Sequence, residues 1–243
     1  MKWKIALLLM LMGLPGVVAT SWLALPLLVD ASSIPVPLET LKLATALQSS
    51  IFVLVAAILG TWLAPKVGVS APVIMAIAGG GKVLESFRPQ LASALAGGCI
   101  GASVIVAFHA FSPEALTAVQ PETPLPLAVR ILYGGITEEI LLRWGLMTSI
   151  AWLGWKVFQN NYNPPSPAVM GAAIVLSALI FGLSHLPPVA LSLPELSASV
   201  IAYVTMGNTL FGLVAGYLFW RYGIEAAIAA HVFAHIFAFI IRG

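Results

Sequence analysis

The 243-residue chain is 60% hydrophobic and 8% charged, whereas charged residues make up about a quarter of a soluble domain. A soluble fold of this length could not solvate its surface with so few charges. A net charge of +2, scattered along the chain, offers no footing for a nucleic-acid partner. The single cysteine, Cys99, rules out an internal disulfide and reads as a small packing residue in an apolar run.

Apolar runs of about 20 residues recur along the whole length, the pattern of bilayer-spanning helices. The first begins after Met1-Lys2-Trp3-Lys4, an outline that a signal peptide shares. Its apolar residues continue through Pro26-Leu27-Leu28-Val29, longer than a signal core, so it is read as a span that is retained. Seven spans follow in order: Ile5–Val29, Leu41–Leu63, Leu91–Phe111, Leu125–Phe158, Pro167–Leu186, Leu196–Trp220 and Ile224–Ile241. The fold class expected is all-α, a polytopic transmembrane helix bundle. Unpaired backbone groups in hydrocarbon cost several kcal/mol each, which forces helices, and no barrel-like alternation is visible.

Between the second and third spans, Val67–Val83 has a short apolar core and a Gly79-Gly80-Gly81 run. It is expected as a surface or re-entrant helix; an eighth span there would invert all that follows. Lys2, Lys4, Lys66, Lys82, Arg88, Lys156 and Arg221 fall on one side of the seven-span arrangement, against Lys42, Arg130 and Arg242 on the other. Positive residues stay inside, so Lys2 and its companions are expected at the cytoplasmic face. Trp3, Trp62, Trp155 and Trp220 stand beside these cations as an aromatic belt would. Gly97…Gly101 and Gly212…Gly216 are four-residue spacings that allow close helix approach. Asn160-Asn161-Tyr162-Asn163-Pro164-Pro165 reads as a polar, proline-broken loop, and Pro187-Pro188 as a stop to the fifth span. No internal repeat or soluble domain is visible. The chain reads as one integral membrane unit, with N-terminal helices in 1–120 and a polar core in 121–243.

Charge at bilayer depth costs about 2.5–3.5 kcal/mol per residue on insertion scales, so each instance requires a reason. Nearly all of it falls on three helices: Glu138, Glu139 and Arg143 on span four, His185 on span five, His231 and His235 on span seven. Glu139 and Arg143 are four apart, share a face and can pair. Glu138 is rotated about 100° from Glu139 and has Leu142 as its i+4 neighbour, so it lacks an intrahelical cation. Such an unpaired carboxyl suits a general acid or base. His231 and His235, also four apart, project from one face. Each feature has a plainer reading: Glu139–Arg143 as a lock between helices, His185 as a helix-end residue, His109 as an interfacial one. Three histidines and an unpaired glutamate on neighbouring helices point instead to a functional cluster.

These motifs, in this order, resemble the CAAX protease and bacteriocin-processing (CPBP) family of membrane endopeptidases, which includes type II CAAX prenyl endopeptidases. The family pattern is Glu-Glu-x-x-x-Arg, then Phe-x-x-x-His, then His-x-x-x-Asn or Asp. Here it reads Glu138-Glu139-Ile140-Leu141-Leu142-Arg143, Phe181-Gly182-Leu183-Ser184-His185 and His231-Val232-Phe233-Ala234-His235. Phe211-Gly212-Leu213-Val214-Ala215-Gly216, leading to Tyr222-Gly223-Ile224, is similar to the family's next-to-last helix and the turn after it, and the resemblance covers about residues 125–241. It implies that Glu138 and His185 activate water, that His231 and the group at 235 stabilise an oxyanion, and that Glu139 and Arg143 hold the architecture. His235 departs from the family's Asn. An Asn always offers an N–H, whereas a neutral histidine does so only in the right tautomer.

The function expected is therefore hydrolysis of a peptide bond in a membrane-associated or lipidated substrate, with the bilayer as the other partner and no cofactor. The alternative is a zinc site formed by His185, His231 and His235, with Glu138 as base. Outside proteolysis, the same cluster could serve a transporter, a membrane scaffold or an immunity protein. A transporter would be expected to show repeats or broken helices in matching positions, and neither is visible.

Overall fold

The computed structural model describes residues 1–29, 35–119, 124–159, 164–193 and 195–242. Of the loop expected at Asn160–Pro165, Asn160 to Asn163 lie outside the described residues. No strand occurs among those described. The helices are α1 (Lys2–Leu28), α2 (Leu38–Val67), α3 (Pro72–Gly79), α4 (Val83–Ala110), α5 (residues 127–158), α6 (Pro167–Leu183), α7 (Ala198–Tyr222) and α8 (Ile224–Arg242). Six helices are long and apolar enough to cross a membrane, α6 being counted with the short helix Leu186–Ala190 that continues it. With α5, helical throughout, the expected seven are accounted for. The chain is an integral, multi-pass membrane protein.

The ambiguous stretch resolves into α3, eight residues long. At 1.5 Å per residue it extends about 12 Å, far short of a hydrocarbon core about 30 Å thick. Gly68 and Gly80 end α2 and α3 in the left-handed region, at φ +75° and +73°. The start of α3 is tied to α8: the Ile74 N–H donates to Glu225 Oε1 at 2.9 Å, and the Ile224 N–H to the Ser70 carbonyl at 3.0 Å. Glu225 thereby answers one of the orphan donors at a helix N-terminus. The turn between α7 and α8 needs Gly223, at φ +111°, where a Cβ would stand 2.6 Å from Pro72 Cδ.

In lipid, helix association depends on close packing rather than on apolar burial, and the small residues show where that packing is tightest. Gly97, Gly98 and Gly101 lay α4 against Ala230, Phe233 and Ala234 of α8; Gly212 and Gly216 lay α7 against Ala178 and Ile174 of α6. Cys99 corrects an expectation. It is exposed on the outside of the bundle, because the glycines flanking it, not the thiol, form the contact face of α4.

The interior helix is α5, its first half packed against α1 and α8 and its second against α2 and α6. It is not uniformly α-helical: residues Arg130–Glu138 and Ile140–Met147 run in wide π-helical turns, which in other proteins collect at functional sites. The Thr137 hydroxyl donates to the carbonyls of Gly13 at 2.7 Å and Leu132 at 3.1 Å, and Thr148 Oγ1 to that of Arg143 at 3.2 Å. Side chains thus answer carbonyls that the wide turns loosen.

Helix ends sort onto two faces. On one, Trp3 of α1 meets Trp62 of α2 edge-on at 4.5 Å, while Lys66 of α2 and Lys156 of α5 both lie over Trp152. On the opposite face, Arg242 at the end of α8 donates to His109 Nε2, near the end of α4, at 2.9 Å.

Candidate active site

The two neighbouring glutamates leave α5 in different directions. Glu139 is fully buried: Oε1 lies 3.2 Å from Arg143 Nη1, one turn on, and accepts from His231 Nδ1–H of α8 at 2.8 Å. Arg143 in turn donates from Nη2 to the Gly212 carbonyl of α7 at 3.2 Å and lies 4.6 Å from the centre of the Phe181 ring of α6. One carboxylate and one guanidinium thus join four helices. A buried ion pair is tolerated when hydrogen bonds offset its desolvation; here His231 and the Gly212 carbonyl supply one to each partner, while Glu139 Oε2 and Arg143 Nε and Nη1 have none.

Glu138 faces a cavity of about 640 Å³ instead, whose lining also includes His185, His231 and His235. Its Oε1 lies 3.9 Å from His185 Nε2, too far for a direct hydrogen bond. His185 Nδ1–H donates to the Phe181 carbonyl at 2.8 Å. That contact fixes the tautomer, so that Nε2 keeps its lone pair toward Glu138. The Phe-x-x-x-His spacing acquires a physical reason here. Phe181 supplies the carbonyl, its ring meets His185 edge-on at 4.8 Å, and the same ring covers Arg143.

His231 and His235 stack, ring centroids 5.0 Å apart. His231 is held from behind by Glu139, which leaves its Nε2 free on the cavity side. His235 approaches α5 at Gly134, where a Cβ would come within 3.0 Å of its Nε2. Any larger residue at 134 would push the ring away. At the adjacent position, a Cβ on Gly135 would stand 2.6 Å from Val232 Cγ2, so this glycine pair sets how closely α5 and α8 cross.

Among the described residues, no three His, Cys, Asp or Glu side chains gather as a metal ion would require. Nδ1 of His185 and of His231 are engaged by Phe181 and Glu139, so that Nε2 of each is the atom left to the cavity.

The arrangement is one of a carboxylate and an imidazole 3.9 Å apart on the wall of one cavity, with two further imidazoles in its lining. Residues 120–237 match the family model for Rce1-like type II CAAX prenyl endopeptidases. No curated protein and no solved structure matches the chain. The family match, consistent with a CAAX or CPBP protease, covers every residue of the three motifs. It begins beyond α4, so α1 to α4 stand outside the Rce1-like segment.

Four further side chains belong to the cavity without a motif to mark them. Arg130 and Tyr133, on α5 ahead of Glu138, line it, as do Tyr203 and Asn208 of α7. Arg130, which counts among the cations of one side in the sequence, lies about two turns before Glu138 on the same helix. Tyr203 donates its hydroxyl proton to the Phe108 carbonyl of α4, closing that wall.

Proposed function

We propose that the chain is a membrane-embedded endopeptidase of the CAAX protease type that hydrolyses a peptide bond in a membrane-associated or lipidated substrate, with Glu138 as general base. The observation that carries this is the 3.9 Å gap between Glu138 Oε1 and His185 Nε2 on the wall of the large cavity. A single water can lie about 2.8 Å from both atoms, a normal hydrogen-bond length. It would donate one proton to each, and its lone pair would then face the substrate.

In the proposed reaction, Glu138 removes a proton from this water as its oxygen attacks the peptide carbonyl carbon. The carbonyl π electrons move to oxygen, giving a tetrahedral oxyanion. When the C–N bond breaks, its electron pair goes to nitrogen, and Glu138 returns the proton to the leaving amine. As the oxyanion re-forms the carbonyl, the products are a carboxylic acid and an amine, which become carboxylate and ammonium by passing the acid's proton to the amine, and the enzyme is regenerated.

His231 and His235 are assigned to the oxyanion. The Nδ1–H of His231 is committed to Glu139, so its Nε2 donates only when the ring carries both protons. His235 donates from Nε2 beside Gly134. One such donor can contribute about 3–4 kcal/mol at the transition state. Glu139 and Arg143 act as positioning residues through His231 and α7. No step is assigned to a metal.

The test is purified protein incubated with a mixed library of membrane-associated peptides, some lipidated, with new termini read by mass spectrometry. The expected result is a defined set of cleavages that vanish with Glu138→Gln and persist in chelator. Cleavage that survives Glu138→Gln, or that stops on chelation and returns with zinc, would overturn the assignment.

A further inference from the structure

The cavity is built almost wholly from one end of the bundle. Its lining takes Thr20 to Leu28 from the last turns of α1, Val104 to His109 from those of α4, and Arg130 to Glu138 from the first half of α5. Beyond these it takes Pro188 to Ser192 from the segment after α6, and Tyr203 to Phe211 from the first half of α7. These are all ends on the side where Arg242 meets His109. None is on the side where Trp3 meets Trp62 and two lysines cover Trp152.

The Lys and Arg residues divide the other way. Lys2 and Lys4 begin α1, Lys66 ends α2, Lys82 and Arg88 lie at the start of α4, Lys156 ends α5 and Arg221 ends α7. All seven lie at the face away from the cavity. The cavity face has Lys42, Arg130 and Arg242, and Arg143 is buried between the two. Short loops rich in Lys and Arg stay in the cytoplasm. The α3 segment, which joins Lys66 to Lys82, is clamped by Glu225 and Ile224 to the base of α8.

We infer that the cavity opens away from the cytoplasm, so that its substrate is a peptide tail reaching the bilayer from the non-cytoplasmic side, such as the end of an exported or membrane-inserted protein, rather than a tail presented from the cytosol. The substrate part of this inference rests on the peptidase reading; the facing of the cavity does not. The apolar walls, with Leu28, Val104, Ile105, Leu116, Val129 and Val189 among them, suit a tail embedded in the outer leaflet.

The test has two arms. In the first, Glu114→Cys at the cavity face and Glu85→Cys at the opposite face are each made in a Cys99→Ala background. Both native side chains are exposed. Intact cells are then treated with a membrane-impermeant maleimide. Glu114→Cys should label in intact cells and Glu85→Cys only after permeabilisation; the reverse pattern overturns the inference. In the second arm, a single-span reporter carries one cleavable tail, inserted in either orientation, with wild-type protein or Glu138→Gln. Cleavage should occur only with the tail outside and only with wild type. Cleavage confined to the cytoplasmic tail overturns the inference even if the labelling holds. With outside labelling and no cleavage in either orientation, the peptidase reading fails while the facing of the cavity stands.

Discussion

Glu138 and Glu139 are joined by one peptide bond, yet they serve two different regions of the molecule. Around Glu139 the bundle is cross-braced: Arg143 pairs with it from the same helix, His231 reaches it from α8, and the Gly212 carbonyl of α7 and the Phe181 ring of α6 hold Arg143. Around Glu138 the helices part, and the nearest charged or ionisable group outside α5 is an imidazole too distant to bond directly. The contrast shows how one helix can carry architecture and chemistry at once. A carboxylate with every neighbour supplied by the protein is structural; one whose neighbour is reached across a gap the size of water is available for reaction. The helix separates them by presenting consecutive side chains in different directions, and the glycines at 134 and 135 bring α8 close enough to serve both.

The contrast can be broken from the cavity side. His185→Ala removes the lone pair opposite Glu138 and leaves Glu139, Arg143 and His231 in place, reaching their cluster through the Phe181 ring that it meets edge-on. Turnover should fall by about 10²–10⁴-fold, the range for a positioned proton-transfer group, with thermal unfolding close to wild type. A large drop in melting temperature with modest loss of turnover would place His185 in the structural region instead.

A smaller effect should come from position 235, where the chain departs from the motif it resembles. His235→Ala should cost about 100-fold or more in turnover, as the loss of one oxyanion donor does. His235→Asn restores the family's residue and an N–H without a tautomer requirement, so it should retain a substantial fraction of activity. Asn is a poor zinc ligand. An Asn variant as inactive as Ala, in an enzyme that chelators inhibit and that contains stoichiometric zinc, would favour the metal mechanism.

Much of this division is legible in the sequence because the bilayer makes charge conspicuous. The i, i+4 pairing of Glu139 with Arg143 and the isolation of Glu138 follow from helix geometry alone, and the structure places both as expected. What local spacing cannot carry is contact between helices. The bond from His231 to Glu139 spans 92 residues and makes His231 part of the braced region as well as the cavity. The π-helical turns of α5 have no compositional mark, since Gly134-Gly135 would fit an ordinary close crossing equally well. Arg130 was hidden by its place near a span end, where a cation is unremarkable. Cys99 was misjudged because an apolar run does not say which face packs; its glycine neighbours did. The short helix α3 was foreseen as a surface or re-entrant element, but Glu225 as its cap was not, because the two are brought together only by the fold.

The account depends most on Glu138 being reactive and Glu139 architectural, and one paired measurement tests that directly: turnover and thermal unfolding of Glu138→Gln and Glu139→Gln, purified side by side. Glu138→Gln should unfold near the wild-type temperature with turnover abolished. Glu139→Gln should lose about 3–5 kcal/mol of stability, because it leaves the buried Arg143 guanidinium without its counter-charge. Equal loss of stability in both variants, with equal residual activity, would contradict the account.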